Sequence, residues 1–123
     1  VIDMPPGTSD EILEASSLFP ISKRALVVTT PCMLSQVATL RLLKLLPSIY
    51  IQTLGLVLNM VSDDTDRFKV SLSKEQINLP ILAIIPYDST IPKSIGKVDD
   101  LLNTFAGQES LRLAKAIATS WPF

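Results

Sequence analysis

The chain of 123 residues has no histidine and a single cysteine, Cys32. Histidine is the commonest metal ligand and the usual general base near neutral pH, so its absence excludes Ser-His-Asp hydrolysis and the common zinc sites. A single cysteine also excludes an internal disulfide framework. We interpret Cys32 as a small buried hydrophobic residue, and we expect a reduced, cytoplasmic compartment.

Long runs of one kind of residue are missing as well. The 11 basic and 12 acidic residues are interspersed, so no basic run can neutralise several phosphates, and we expect no nucleic-acid partner. No uncharged apolar run reaches the roughly 18 residues that a spanning helix requires, and no signal-peptide pattern opens the chain, so we expect no stable membrane insertion. With 47% hydrophobic residues the chain can bury a core, and we assign residues 1–123 to one domain.

Short apolar runs alternate along the chain with patterns typical of helices. The strand patterns are Val1 with Ile2 as the last residues of a strand, Ala25–Thr29, Thr53–Met60 and Pro80–Ile85. The helical patterns are Asp10–Phe19, Leu34–Leu46, Ser73–Asn78, Ile91–Ile95 and Gly107–Ser120. The apolar positions expected to face the sheet are Leu34, Val37, Ala38, Leu42, Leu45 and Leu46 in one helix, and Leu111, Ala114, Ile117 and Trp121 in the last. This order predicts an α/β fold with a mostly parallel sheet and flanking helices.

Each predicted strand ends in polar or rigid residues. Asp3 follows the first strand, Asn59 ends the third, and Pro86 and Asp88 follow the fourth. Thr29, Thr30 and Pro31 follow the second strand and are interpreted as residues that end a strand and begin a helix. Because ligands of open parallel sheets bind at the carboxyl ends of the strands, the sequence predicts a binding site at this edge.

Four segments at these strand ends resemble a known family. They are DMPPGTSD at 3–10, VVTTP at 27–31, GLVLNM at 55–60 and LPILAIIPYD at 79–88. In this order and spacing they are similar to the C-terminal half of the MinD/Mrp group of deviant P-loop ATPases, and most similar to the Mrp/ApbC nucleotide-binding proteins. The resemblance covers essentially the whole chain. It implies part of a P-loop NTPase fold of the SIMIBI type, ATP hydrolysis with Mg²⁺, and closure of homodimers around nucleotide.

The resemblance also implies roles for particular residues. Asp3 would be the catalytic carboxylate that holds the magnesium shell through water. Pro5, Pro6 and Gly7 would form the switch that senses the γ-phosphate, with Gly7 allowing backbone N–H groups to approach it. Asn59 would read the adenine edge, because a planar amide offers both a donor and an acceptor. Pro86 and the loop of Tyr87 and Asp88 would wall the base.

Two features of that family are missing from the sequence. None of the four glycines lies in a GxxxxGK[ST] context, so the phosphates have no cradle within these residues. We therefore expect the chain to be the C-terminal part of a longer ATPase and to be inactive alone. Residues 61–68 also lack the Cys-x-x-Cys pair of Fe–S scaffold members, which argues against a cluster carrier that uses that motif.

Some of these residues have plainer alternative roles. Asp3 could cap the following turn, and Asn59 could form a turn with left-handed backbone geometry. The acidic loop of Asp63, Asp64 and Asp66 lacks the glycine and distal glutamate of a calcium loop, so we interpret it as solvated. For the whole chain, the alternative is a non-catalytic interaction module or split subunit that docks on a partner. A GK[ST] loop encoded upstream of Val1 would favour the ATPase.

Overall fold

The computed structural model describes residues 1–4, 10–18, 23–62 and 66–120. In chain order its elements are α1 (Asp10–Leu18), β1 (Arg24–Thr29), α2 (Met33–Ser48), β2 (Gln52–Val61), α3 (Asp66–Lys74), β3 (Ile81–Pro86), α4 (Ile91–Ser94), α5 (Val98–Leu102) and α6 (Phe105–Ser120). Within these ranges, no helix combines the length and the apolar character that crossing a bilayer requires.

The three described strands form one parallel sheet in the order β1-β2-β3. Thr29 at the end of β1 lies opposite Leu58, and Val61 at the end of β2 lies opposite Pro86. The carboxyl ends of the strands therefore meet at one edge. The predicted α/β fold with a parallel sheet and flanking helices is confirmed.

The sheet is covered on both faces, which explains why its strands read as continuous apolar runs. One face packs against α2 and α3 through Val27, Leu43, Leu46, Leu56, Leu58, Phe68 and Leu72. The other packs against α6 through Val57, Ala83, Ile85, Leu26, Ala106 and Leu113. Successive residues of β2 thus enter opposite cores, and the central strand is the most deeply buried element.

The predicted first strand is absent from the described residues. Val1 and Ile2 are exposed and have no secondary structure. Two apolar residues are too few for a ladder, since strands usually span about 3–10 residues. Among the described residues, the edge predicted from four strands is built from three.

Helix α3 begins earlier than the sequence pattern indicated. The prediction began at Ser73, whereas the helix spans Asp66–Lys74 and has ended before Asn78. Phe68 and Leu72, one helical turn apart, are both buried against the sheet. This pair fixes the helix, and its polar surroundings concealed it in the sequence.

The inward faces of α2 and α6 also differ from the prediction. Leu34, Val37 and Ala38 are exposed, Leu34 at 81%, whereas the predicted Leu46 is buried and Leu42 packs against the same core. The buried residues of α2 are Thr39, Leu43 and Leu46, and the first two were not predicted. Apolar residues cover more of this helix than one sheet can bury, so the i, i+4, i+7 row nearest the sheet becomes the core.

In α6, the residues that pack on the sheet are Ala106 and Leu113, whereas Leu111 and Ala114 are exposed. Ile117 is half-buried, and Trp121 lies outside the described residues. Gly107 allows α6 to lie close to α5, because a Cβ there would lie 2.7 Å from Leu102 Cα. The helical turn predicted at Ile91–Ile95 is confirmed as α4, and α5 was not predicted.

Candidate functional site

A chain of hydroxyl groups fixes the carboxyl end of β1. Thr29 and Thr39 are only 2% and 5% exposed. Thr39 Oγ1 donates to Thr29 Oγ1 at 2.7 Å, and Thr29 Oγ1 lies 2.9 Å from Ser35 Oγ. The end of the strand is therefore tied to two successive turns of α2.

The loop between β1 and α2 is held by further side-chain hydrogen bonds. Thr30 N donates to Ser35 Oγ at 3.1 Å, and Gln36 Nε2 donates to the Pro31 carbonyl at 2.7 Å. The loop backbone is thus braced from both directions. This agrees with the interpretation of Thr29, Thr30 and Pro31 as residues that end the strand and begin the helix.

Cys32 is exposed, so its interpretation as a buried hydrophobic residue was wrong. It is the N-cap of α2, and its Sγ accepts a hydrogen bond from Ser35 N at 3.4 Å. Hydrogen bonds from the Thr30 hydroxyl and the Ser35 N–H lower the pKa of the thiol, because both favour the thiolate. The capping role, which is unusual for cysteine, explains why this side chain stays at the surface.

Asn59 lies near the carboxyl end of the central strand and is half-buried. Its Oδ1 accepts a hydrogen bond from Met60 N at 2.9 Å. The left-handed residue here is Met60, with φ of 56°, so Asn59 does not itself have the left-handed geometry of the alternative interpretation. The strand pairing shifts register between Leu58 and Val61. The side chain of Asn59 thus supports an irregular strand end.

Pro86 ends β3 and is followed by a loop, Tyr87 and Asp88, that leads into a turn at Ser89 and Thr90. Pro86 is exposed and cannot donate to the ladder, but Tyr87 N donates to the Val61 carbonyl at 3.0 Å. Asp88 Oδ1 accepts hydrogen bonds from Thr90 N at 2.8 Å and Thr90 Oγ1 at 2.6 Å. Both bonds lower the pKa of the Asp88 carboxyl, and the bond from the Thr90 hydroxyl has the larger effect.

The strand register brings part of the predicted site together. The β1 loop begins beside Asn59, because Thr29 lies opposite Leu58, and the Pro86 turn borders the same strand end on the other side. Asp3 is exposed in the segment 1–4, and no described contact joins it to this edge. Pro5, Pro6 and Gly7 lie outside the described residues, as do Asp63 and Asp64. In the part of the chain that is described, no three His, Cys, Asp or Glu side chains lie together as a metal site would require.

Comparison with known proteins identifies the family. The sequence model of the ParA family, described as the NUBPL iron-transfer P-loop NTPase, matches residues 1–121. The chain belongs to this P-loop NTPase family.

Relatives and a solved structure agree with that assignment. The chain is 32% identical over 102 residues to the iron-sulfur cluster carrier protein of Rickettsia bellii, covering 83% of the chain and 30% of the relative. It is 34% identical over 104 residues to the protein of the same name from Rickettsia typhi, covering 84% of the chain and 32% of that relative. The chain thus spans about a third of the length of these curated relatives.

The fold is similar to that of the cell division ATPase MinD of Pyrococcus furiosus. The two structures superpose with a TM-score of 0.61 at 24% identity, over 80% of this chain and 43% of the MinD chain. At this identity the likeness concerns the fold, and it confirms that the chain has part of a P-loop NTPase architecture.

The sequence did not predict the residues of α2 that hydrogen-bond to the carboxyl end of β1 and to the loop after it. They are Ser35, Gln36 and Thr39. A signal was present in the helix pattern. Thr39 lies in the phase of the buried stripe, four residues before Leu43 and seven before Leu46. A polar residue in an otherwise apolar stripe predicts a buried hydrogen bond, because an unpaired hydroxyl there would be costly.

Proposed function

We propose that this chain is the C-terminal part of an ATP-binding P-loop NTPase, supplying the base pocket and the magnesium carboxylate for ATP hydrolysis by the intact protein. The observation that carries the proposal is the position of Asn59. It is a half-buried amide at the end of the central strand, with a braced loop beside it on β1 and the Pro86 turn beside it on β3.

The unused hydrogen-bonding groups of Asn59 suit adenine. Its Oδ1 accepts one hydrogen bond, from Met60 N, and keeps a second lone pair. Its NH₂ group can donate to the base. An asparagine amide can pair with adenine through N6 and N7, accepting from one and donating to the other. Guanine carries an acceptor where adenine has its N6 donor, so this arrangement favours ATP over GTP.

The turn after β3 suits the face of the base. Pro86 and Tyr87 are exposed beside Asn59 and offer flat apolar surfaces. Asp88 holds this turn through its two hydrogen bonds to Thr90. We assign Asp88 to the shape of the pocket wall.

Asp3 is the residue of this chain that would hold magnesium. A carboxylate oxygen is the ligand type that Mg²⁺ prefers, and nucleotide-bound Mg²⁺ commonly takes one or two carboxylates together with the phosphates. The exposed side chain of Asp3 fits this requirement. Magnesium would there neutralise charge on the phosphates. Pro6 and Gly7 stay assigned to the γ-phosphate switch through the family pattern of the opening segment.

The relatives are named iron-sulfur cluster carrier proteins. We do not extend cluster binding to these 123 residues. Iron–sulfur clusters are commonly held by about four thiolates. These 123 residues provide one cysteine and no GxxxxGK[ST] loop. We therefore propose that cluster ligands and the phosphate cradle come from other parts of the protein or from a second copy.

The base pocket is tested by nucleotide titration of the full-length protein. Asn59→Ala should weaken ATP binding about tenfold and reduce the preference for ATP over GTP, because a paired base contact contributes roughly 1–3 kcal/mol. Calorimetry with both nucleotides measures this. Asn78→Ala is the matched control, since Asn78 is exposed and precedes β3 at the opposite edge of the sheet.

Two outcomes would contradict the proposal. If Asn59→Ala keeps the wild-type preference, Asn59 is only a structural residue of the strand end. If the wild-type protein binds no ATP, the non-catalytic docking module becomes the better explanation.

A further inference from the structure

We propose that Thr39, a buried residue of α2, is a positioning residue for base recognition. It acts through Thr29 and Ser35, which together hold the loop Thr30–Cys32 as a second wall of the base pocket. This inference rests on the proposed function, because it assumes that a base binds at Asn59.

A chain of hydrogen bonds connects Thr39 to the loop. A hydroxyl has one hydrogen to donate. Thr39 Oγ1 donates to Thr29 Oγ1 at 2.7 Å, and Thr29 Oγ1 lies 2.9 Å from Ser35 Oγ, a pair in which either hydroxyl can donate. Thr29 Oγ1 can also donate to the Thr30 carbonyl at 3.4 Å. Ser35 Oγ accepts the backbone N–H of Thr30 at 3.1 Å. The buried Thr39 of α2 is thus connected to the backbone of Thr30, the first residue of the loop.

The loop lies where a second wall of the pocket is needed. The pairing of Thr29 with Leu58 places Thr30 beside Asn59 on one side, and Tyr87 borders the same strand end on the other. The β3 side is fixed by the bonds between Asp88 and Thr90. The β1 side is fixed by the hydroxyl chain. Both loops beside Asn59 are therefore preorganised, which reduces the entropy lost when a ligand binds.

Packing alone does not explain a hydroxyl at position 39. Thr39 continues the stripe of Leu43 and Leu46, where a valine of nearly the same shape would bury a methyl group in place of the hydroxyl. Buried polar groups stabilise less than well-packed apolar groups unless every partner is satisfied. None of the described side chains has a buried polar atom without a partner. The network is complete, and its outer end is the loop.

The experiment measures base preference separately from phosphate binding in the full-length protein. ATP, GTP and inorganic tripolyphosphate are titrated into Thr39→Val, Thr39→Ser, Ser35→Ala and Ser48→Ala, and the Tm of each variant is recorded. Ser48→Ala is the matched control for Ser35→Ala, because Ser48 lies at the far end of the same helix and donates only to the Leu45 carbonyl.

Thr39→Val and Ser35→Ala should each reduce the ratio of ATP to GTP affinity about three- to tenfold, as expected for the loss of one hydrogen bond in a positioning chain. Tripolyphosphate affinity should not change, since it lacks a base. Thr39→Ser, which keeps the hydroxyl, should retain most of the preference. A role in stability alone would change Tm without changing the ratio.

The failures of the two proposals can be distinguished. If Asn59→Ala abolishes the ATP preference while Thr39→Val and Ser35→Ala keep it, the positioning role is wrong and the base pocket stands. If the wild-type protein binds no ATP, or if Asn59→Ala keeps the wild-type preference for ATP, the base pocket itself is wrong. Thr39 then has no base-binding loop to position. Should Thr39→Val not fold, Ser35→Ala decides the question, because Ser35 is only half-buried.

Discussion

Asp3 is assigned to the magnesium ion at the phosphates and Asn59 to the base. Substitution of Asp3 should therefore change the rate of hydrolysis, whereas substitution of Asn59 should change nucleotide affinity. A base contact is the same in the ground state and the transition state, so its loss changes affinity and leaves the maximal rate nearly constant. A magnesium carboxylate acts where charge develops during phosphoryl transfer. Asp3→Ala should therefore reduce kcat of the full-length protein about 10²-fold or more.

Steady-state ATP hydrolysis at saturating magnesium measures this difference, and Asp99→Ala serves as the control. Asp99 is an exposed aspartate in the first turn of α5. Asp99→Ala should hydrolyse ATP at the wild-type rate. If Asp3→Ala does the same, Asp3 only caps its turn, and the assignment of the opening motif fails.

At the scale of single residues, the sequence located the strand-end groups but not the bonds that they make. Asn59, Pro86 and Asp88 were predictable because each follows an apolar run, and parallel strands end at a common edge. The bond from Met60 N to Asn59 Oδ1 depends on the left-handed backbone of Met60, which no residue type announces. The exposure of Cys32 depends likewise on its capping bond to Ser35.

At the scale of elements, α2 and α3 end in the same way. In each helix the second residue beyond the helix is left-handed, Tyr50 with φ of 59° and Gln76 with φ of 55°. Ile51 N donates to the Leu46 carbonyl and Ile77 N to the Leu72 carbonyl, both at 3.0 Å. This is the Schellman arrangement, which usually has glycine at the left-handed position.

The missing glycines explain why the ends of these helices were hard to predict. The predicted helical pattern ended at Leu46, but α2 continues through Pro47 and Ser48 and stops at the Schellman turn. The strands were more predictable. Strand β1 gains Arg24, β2 gains Gln52 and Val61, and β3 moves by one residue at each end relative to the apolar runs. Strands that are buried on both faces appear in the sequence as continuous apolar runs. A Schellman turn with tyrosine or glutamine at the left-handed position has no such pattern in the sequence.

This geometry predicts that Gln76→Gly stabilises the chain. A non-glycine residue in the left-handed region costs about 1–2 kcal/mol, and the greater freedom of unfolded glycine offsets part of that relief. We expect the free energy of unfolding in urea to increase by about 0.5–1 kcal/mol. Lys74→Gly, two residues earlier and inside α3, should lower it by about 1 kcal/mol. If both variants destabilise the chain, the left-handed turn at Gln76 is not formed in solution.

At the scale of the whole molecule, the two faces of the sheet are covered unequally. Helix α2 lies over β1 and β2 on one face, with Phe68 and Leu72 of α3 in the same core, whereas α6 lies mainly over β3 on the other face. Leu26 and Val28 of β1 point to the α6 side, and Val28 is 57% exposed there. No described strand pairs with the outer side of β1. An apolar strand at an uncovered edge is a site where another chain can pair.

We therefore expect the 123-residue chain to self-associate through β1. Val28→Lys should shift the chain toward monomer, because a lysine on an edge strand opposes pairing with a second strand. Val70→Lys is the matched control, since Val70 is similarly exposed, at 51%, but lies on α3 away from the sheet edge. Sedimentation velocity over a range of concentrations measures the outcome. A wild-type chain that stays monomeric at high concentration would contradict the prediction, and equal effects of the two lysines would place the contact elsewhere.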